Sequence, residues 1–346
     1  MKNIKIFCIH PCTNNLESFI KHFDFKPLTD SFNFQWSEDA PDYLIATEHI
    51  YKNKKLNQVF KKLYSKAKIK ILCAEEAMAC DWNIFDYGAG FDANLYFEDR
   101  YTQLLPPFLF FKNFVFEPQN NITTIDQAQS LLSEKKKFCN FLYSNANAHP
   151  IRDQIFHHIS KQYKKVDSLG KHLNNTGVKG TGYVGHIRDC VTLKQPYKFS
   201  IACENAYYKG YTTEKILTSL QAHTIPIYFG NPLIGCDINP KSFINYHDFN
   251  NLEDMLDFIK KVDESDELWC KMIAEPWQTP EIMKHAKERE KKYYNFWTNL
   301  FEQDFVKAKR LPEGTYINIY QDWLFNHKYQ VGNSLQKVIK KLSSLR

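Results

Sequence analysis

Residues 197–232, YKFSIACENAYYKGYTTEKILTSLQAHTIPIYFGNP, decide the reading of this chain. Phe199 to Cys203 is a short apolar run with the composition of a strand, and Glu204-Asn205 follow where it ends. Thr212 or Thr213 is placed to cap a helix on which Ile216, Leu217, Leu220 and His223 recur at helical spacing. Thr224 to Gly230 is then a buried strand, stopped by Gly230-Asn231-Pro232. Strand, helix and strand in so short a span make a βαβ unit. Such a unit implies a parallel sheet whose ligands gather beyond the carboxyl ends of its strands. Asn205, Tyr211, Glu214 and Lys215 fall at that edge. Lys215 stands in the first helical turn, where the macrodipole disfavours a cation. A bound anion reverses that balance, because free backbone N–H groups and the ammonium share it. Glu214 beside it can accept hydrogen bonds from sugar hydroxyls. An ordinary capped helix with a solvated Glu-Lys pair is the alternative that the local pattern leaves open.

Outward from this stretch, 346 residues are enough for two domains, each with its own core. A hydrophobic content of 43% and an aromatic content of 15% describe a folded chain. The net charge of +6 favours anionic partners, whether sugar nucleotides, lipid head groups or nucleic acid, without choosing among them. Nine cysteines, an odd number with no Cys-x-x-Cys pair, read as reduced core thiols of a cytoplasmic protein. Paired ligand spacing for zinc is missing. The apolar run 4–9 is broken by His10-Pro11 and reads as a first strand, not a signal peptide. The run 104–116 contains Pro106, Pro107 and Lys112 and is too short to span a bilayer, so no transmembrane anchor is expected.

The first half alternates strands at 4–9, 43–47 and 68–73 with helices at 16–23 and 56–66, a doubly wound pattern. The polar stretch 119–136 reads as the linker. Residues 138–143 then form a strand, and a helix runs from Ile151-Arg152 to residue 160 with Pro150 near its first turn. Arg152, near that helix N-terminus, suits anion binding for the same reason as Lys215. Further on, 242–249 reads as a strand and 251–262 as a helix capped by Asn250 or Asn251. At 333–346, Leu335, Val338, Ile339, Leu342 and Leu345 recur at helical spacing beside Lys337, Lys340, Lys341 and Arg346. Such a basic amphipathic helix lies on an anionic membrane surface or packs on the protein body.

The opening stretch is similar to the signature of the α1,3/4-fucosyltransferases, glycosyltransferase family ten. The likeness rests on Lys198-Phe199, Glu204-Asn205, Tyr211-Thr212-Thr213-Glu214-Lys215 and the strand from Thr224 to Pro232. Phe85-Asp86-Tyr87, Gly90-Phe91-Asp92 and Asp99-Arg100-Tyr101 resemble the family's acceptor-domain block. Ser144-Asn145 with Arg152, Val166-Asp167 with Gly170, and Asn174-Asn175 continue it.

The resemblance implies an α/β, GT-B-like fold, with two Rossmann-like domains facing across a nucleotide-sugar cleft. Residues 1–134 would bind the acceptor and 135–310 the donor, with 311–346 as an extension carrying the basic helix. The implied reaction is inverting transfer of L-fucose from GDP-β-L-fucose to a hydroxyl of GlcNAc in a Gal-GlcNAc acceptor. It would be an α1,3-fucosylation giving a Lewis-type product, on lipopolysaccharide O-antigen. Arg152, Asn205, Tyr211, Glu214 and Lys215 map onto donor-binding positions. The family's base is a glutamate in a Gly-Glu-Asn context, and a gapless count from Phe85-Asp86-Tyr87 lands on Glu76. Here Glu75-Glu76-Ala77 replaces that context, so Glu75 remains a competitor. No Asp-x-Asp motif occurs, so neither a divalent metal nor a cofactor besides the donor is expected. Bacterial members carry basic amphipathic C-termini, which implies a cytoplasmic protein peripheral on the inner membrane face. Two other readings stay open. One is a related transferase using another nucleotide sugar. The other is a non-catalytic basic membrane or nucleic-acid binder, for which no recognition helix or RNA-binding strand motif speaks.

Overall fold

The computed structural model describes residues 1–110, 122–177 and 187–325. The chain divides into two units, one formed by 1–104 with the chain from 291 on, the other by 105–290.

The first unit holds a six-stranded parallel sheet. Its strands are β1 (Lys2–Ile9), β2 (Phe32–Trp36), β3 (Tyr43–Thr47), β4 (Ile69–Cys73), β5 (Tyr87–Gly90) and β6 (Tyr101–Gln103), in the order 2-1-3-4-5-6. Every residue of β3 and β4 is buried, as expected for parallel strands covered on both faces. The helix Leu16–His22 starts at a capping box between Asn15 and Ser18. The helix Lys54–Tyr64, capped by Asn53, buries Phe60, Leu63 and Tyr64 and leaves Lys54, Lys55 and Lys62 exposed. From the returning chain, Trp297 packs on Phe25 (ring centroids 4.8 Å apart) and Phe301 on Tyr43 (5.0 Å).

The second unit repeats the plan. Strands β7 (Lys137–Phe141), β8 (Val166–Ser168), β9 (Tyr197–Cys203), β10 (Ile225–Phe229) and β11 (Ile244–Asn245) lie parallel in the order 11-10-9-7-8. Phe141, Ile155, Ile159, Phe199, Ile201 and Ile227 centre its core. Both sheets reverse their winding once, between β1 and β3 in the first and between β7 and β9 in the second. Open α/β sheets take ligands at such reversals, beyond the strand carboxyl ends.

Three expectations change. The strand expected over 242–249 shrinks to Ile244–Asn245, because Asn239 and Asn245 accept from Lys241 N–H and His247 N–H and close short 3₁₀ turns. The polar linker of 119–136 contains instead the helix Ile125–Leu132, begun by a Thr124–Gln127 capping box; residues 119–121 lie outside the described residues. Ala128, Leu131 and Leu132 of that helix join the second core. The unit boundary therefore falls at 104/105 and not at 134/135. The return falls at 290/291, inside the helix Pro280–Glu302, and not at 310/311, because Tyr293, Trp297 and Phe301 are buried in the first unit. The basic segment 333–346 lies outside the described residues. Among the described residues no helix is long and apolar enough to cross a membrane. All nine cysteines are free thiols, six of them buried.

Candidate active site

At the reversal of the second sheet, the loops after β7 and β9 are joined by Arg152. This residue occupies the second position of the helix Ile151–Gln162 and is 1% exposed. Its Nη2 donates to the Asn145 carbonyl at 2.7 Å, and its Nη1 lies 3.5 Å from Asn205 Oδ1. The guanidinium sits 4.5 Å from the centre of the Tyr143 ring, whose hydroxyl accepts from Cys203 N–H at 2.6 Å. One buried cation thus ties together the ends of the two strands that flank the reversal. Asn145 entered the sequence reading only through the family resemblance, and Tyr143 only as the end of a strand.

A second constellation forms where β9 turns into the helix Glu214–Gln221. Glu204 follows β9 directly and is fully buried. It accepts from Thr213 N–H and from Thr213 Oγ1, both at 2.7 Å. Lys215 Nζ lies 3.3 Å from Glu204, 3.3 Å from Glu214 and 2.9 Å from Thr213 Oγ1. Thr213 is the N-cap, but its hydroxyl serves this network and not the helix backbone. Burial pushes the Glu204 carboxyl up against the pull of Lys215. Burial also raises Glu214, but the Lys215 charge and local hydrogen bonds outweigh it, leaving Glu214 below the ordinary value. The Lys215–Glu214 pair belongs to the alternative reading of an ordinary capped helix, but Lys215 is also held by the deeper Glu204.

The end of β10 fixes this arrangement. Gly230 has φ +154°, and a Cβ there would sit 2.5 Å from Glu204 Cγ. Asn231 accepts from Gly210 N–H at 2.7 Å and donates to Thr212 Oγ1 at 3.0 Å, pinning the loop that carries Tyr211. Tyr211 itself is 2% exposed, part of the wall of this loop. Beneath the helix, the buried Lys194 ammonium reaches the Lys215 carbonyl, Thr218 Oγ1 and Ser219 Oγ, and burial lowers it to about 8. Sequence reasoning missed Lys194, which lies on a separate helix with no local motif.

In the first unit, Glu75 and Glu76 part company. Glu76 has a 39% exposed side chain, 3.9 Å from Lys52 Nζ. Glu75 is largely buried, with Oε1 2.5 Å from His22 Nε2 and Oε2 3.2 Å from His10 Nε2. Burial pushes Glu75 up, but the bonds and charges of the two imidazoles outweigh it and hold the carboxyl at about 2. Glu48, 3% exposed, accepts from Glu75 N–H at 3.0 Å, and burial together with the Glu75 charge raises it to about 7. His10, His22 and Glu75 place possible ligand atoms within 4.8 Å of one another, a group that no sequence spacing announced.

Two parallel, doubly wound sheets, each reversing its winding once, define an α/β protein of the GT-B-like class. Residues 132–318, more than half of the chain, match the family model described as Glycosyltransferase family 10 (fucosyltransferase) C-term, and the chain belongs to this family. Its relatives include the Helicobacter pylori Alpha-(1,3)-fucosyltransferase FucT, 30% identical over 242 residues, or 61% of this chain and 48% of the relative. The Xenopus laevis GDP-fucose protein O-fucosyltransferase 3 is 32% identical over 139 residues, or 38% of this chain and 29% of the relative. The chain spans about half the length of the first relative and under a third of the second. A crystal structure of an α1,3-fucosyltransferase with GDP shares the fold, with a TM-score of 0.67 at 24% identity over 88% of this chain and 91% of that one.

Proposed function

We propose that this protein is an inverting fucosyltransferase that moves L-fucose from GDP-β-L-fucose to a GlcNAc hydroxyl of a Gal-GlcNAc glycan, as an α1,3-linkage on a lipid-linked O-antigen. The observation that carries this reading is the Arg152–Asn205 and Lys215–Glu204 pair of constellations at the reversal of the second sheet. Both cations are held rigidly where a diphosphate binds in such folds. A bond forms between the acceptor oxygen and the anomeric carbon as the bond to the β-phosphate oxygen breaks. The electron pair leaves on GDP, and Arg152 and Lys215 stabilise the charge that develops there. Glu204 tunes Lys215: the more its burial favours the neutral acid, the more of the ammonium charge serves a phosphate. Glu76 takes the acceptor proton, being the accessible member of its pair. The cationic side chains do the work of a bridging metal, so the reaction proceeds with chelator present.

Thermal shift against GDP, UDP and CMP at matched concentrations, with and without EDTA, tests this together with transfer to N-acetyllactosamine. GDP should stabilise most, and EDTA should change nothing. Equal stabilisation by UDP would point to another nucleotide sugar. Salt-sensitive nucleic-acid binding without protection by GDP would point to a non-catalytic basic protein.

A further inference from the structure

The polar cluster of the first unit lies at that sheet's own reversal. His10 follows β1 directly, Glu48 follows β3 directly, and Glu75 lies two residues beyond β4. His22 closes the helix Leu16–His22. Its imidazole lies 4.4 Å from that of His10, centre to centre, and His49 lies 5.5 Å from His10 on the other side. Protonation in this cluster is readable. His10 Nδ1 accepts from Cys12 N–H at 3.1 Å, so its ring proton is on Nε2 and points at Glu75. That tautomer offers no Nε2 lone pair to a metal. The 2.5 Å contact of His22 with Glu75 is likewise a hydrogen bond, shorter than two ligand atoms stand across a zinc ion. The group is therefore a clamp in which two N–H donors grip one carboxylate, while Glu48 grips the backbone N–H of the same residue.

The residue that such a clamp holds still is the next one. Glu76 continues from Glu75 into a tight turn in which Met78 N–H donates to the Glu76 carbonyl at 2.8 Å. We propose that Glu75 is a positioning residue: gripped by His10, His22 and Glu48 at the reversal of the first sheet, it sets the backbone from which Glu76 presents its carboxylate to the acceptor hydroxyl. The proposal rests on the assignment of Glu76 as base. Among the described residues, the titratable and charged groups facing the clamp include His10 after β1, His22 at the end of the first helix, Glu48 and His49 after β3, Cys8, Cys73, Lys52 and Glu76. A carboxylate that already accepts from two imidazoles is a poor proton acceptor and a fixed anchor, which suits holding and not catalysis.

The test is a double-mutant cycle on kcat, with KM for GDP-fucose and thermal midpoint measured in parallel. Glu75→Gln keeps the size but presents an amide N–H to a donor, so one imidazole loses its acceptor. It should lower kcat by at least about tenfold with KM for GDP-fucose within about twofold of wild type. Glu76→Gln should cost more, and the double variant should be no slower than Glu76→Gln alone, since Glu75 acts through Glu76. His22→Gln, cutting the clamp from the other side, should behave like Glu75→Gln. Additive losses in the double variant would make Glu75 merely structural and overturn the proposal. A larger loss in Glu75→Gln than in Glu76→Gln would make Glu75 the base and overturn it too. So would one zinc ion, seen by native mass spectrometry in wild type and missing in Glu75→Gln. Full activity of Glu76→Gln would sink the base assignment first, separately from the clamp.

Discussion

Under the proposed reaction, Lys215 and Arg152 carry the largest expected single-residue effects, because each is a cation held in place by neighbouring side chains and backbone that would stabilise charge on the leaving diphosphate. Replacing either with alanine should lower kcat by about 10²–10³, the scale of one lost transition-state donor, and weaken GDP binding measured by calorimetry. A variant with full activity and full GDP affinity would remove that residue from the donor site. The carboxyls of the first unit make a different, pH-resolved prediction. Glu48 has a folded value of about 7 against a reference of 4.5. Between those values the native state keeps a proton that the unfolded chain releases, so stability falls as pH rises, by on the order of 3 kcal/mol in all. Glu75 acts in the opposite sense and in another window. Its folded value of about 2 gives stability above pH 4.5 that is lost as pH falls toward 2. Glu48→Gln should therefore raise the thermal midpoint at pH 8, with the gain shrinking by pH 5. A constant difference across pH would mean that Glu48 does not titrate in this range. These residues show where reading stopped. Lys215, Glu214 and Asn205 share one βαβ unit and could be found by local pattern. His10, Glu48, Glu75 and His22 come from four separated segments, which no spacing rule links.

At the scale of elements, the parallel strands with continuous apolar runs were legible, β3 to the residue and β1, β4, β9 and β10 within about two residues. The short ones were not. β5 is Tyr87-Gly-Ala-Gly90, with neither β-branched residues nor alternation, and β8 has three residues whose pairing with β7 only the fold supplies. The helix Ile125–Leu132 was hidden because its outward face is polar and Ala128 is its one fully buried position. The glycines after strands gain their meaning at this scale as well. A Cβ on Gly170 would meet the Tyr143 backbone carbonyl oxygen at 2.0 Å, so the loop after β8 closes against the loop after β7 only with glycine there. At Gly230 the obstacle is Glu204, and the positive φ adds strain for any L side chain. Gly230→Ala should displace Glu204 and with it Lys215, lowering GDP affinity more than tenfold and the thermal midpoint by several degrees. Gly170→Ala should lower the midpoint as well, through the backbone alone. Unchanged GDP affinity in folded Gly230→Ala protein would separate Glu204 from the donor site.

For the whole molecule, each unit is a doubly wound sheet with a polar constellation at its own reversal, cationic in the second unit and a histidine–carboxylate clamp in the first. A parallel sheet was readable from one βαβ stretch and the two-domain GT-B-like plan only through the family resemblance, while the roles of the two edges were not readable from local pattern. Net charge is the remaining molecular property, and part of it is concentrated near the end of the sequence. Four cations and five apolar residues alternate at helical spacing over 333–346. Upstream, the helix Thr315–Trp323 exposes Tyr316, Ile319, Tyr320 and Trp323 at spacings of three and four, the amphipathic aromatics that settle at a lipid–water boundary. If both stripes entered an interface, apolar burial and attraction of the cations to an anionic surface would act together, the cations by about 1 kcal/mol each. Deletion of 333–346 should release the protein from vesicles of phosphatidylglycerol and phosphatidylcholine in a flotation assay while preserving transfer to a soluble acceptor. Replacing Tyr316 and Trp323 with serine should weaken binding further without altering its salt dependence, since those rings carry no charge. Rising salt should weaken binding of the full chain far more than that of the truncated one, because screening acts on the charges that the deletion removes. Unchanged flotation after the deletion, accompanied by a lowered thermal midpoint, would instead make the segment a packed element of the fold and leave the membrane reading without support.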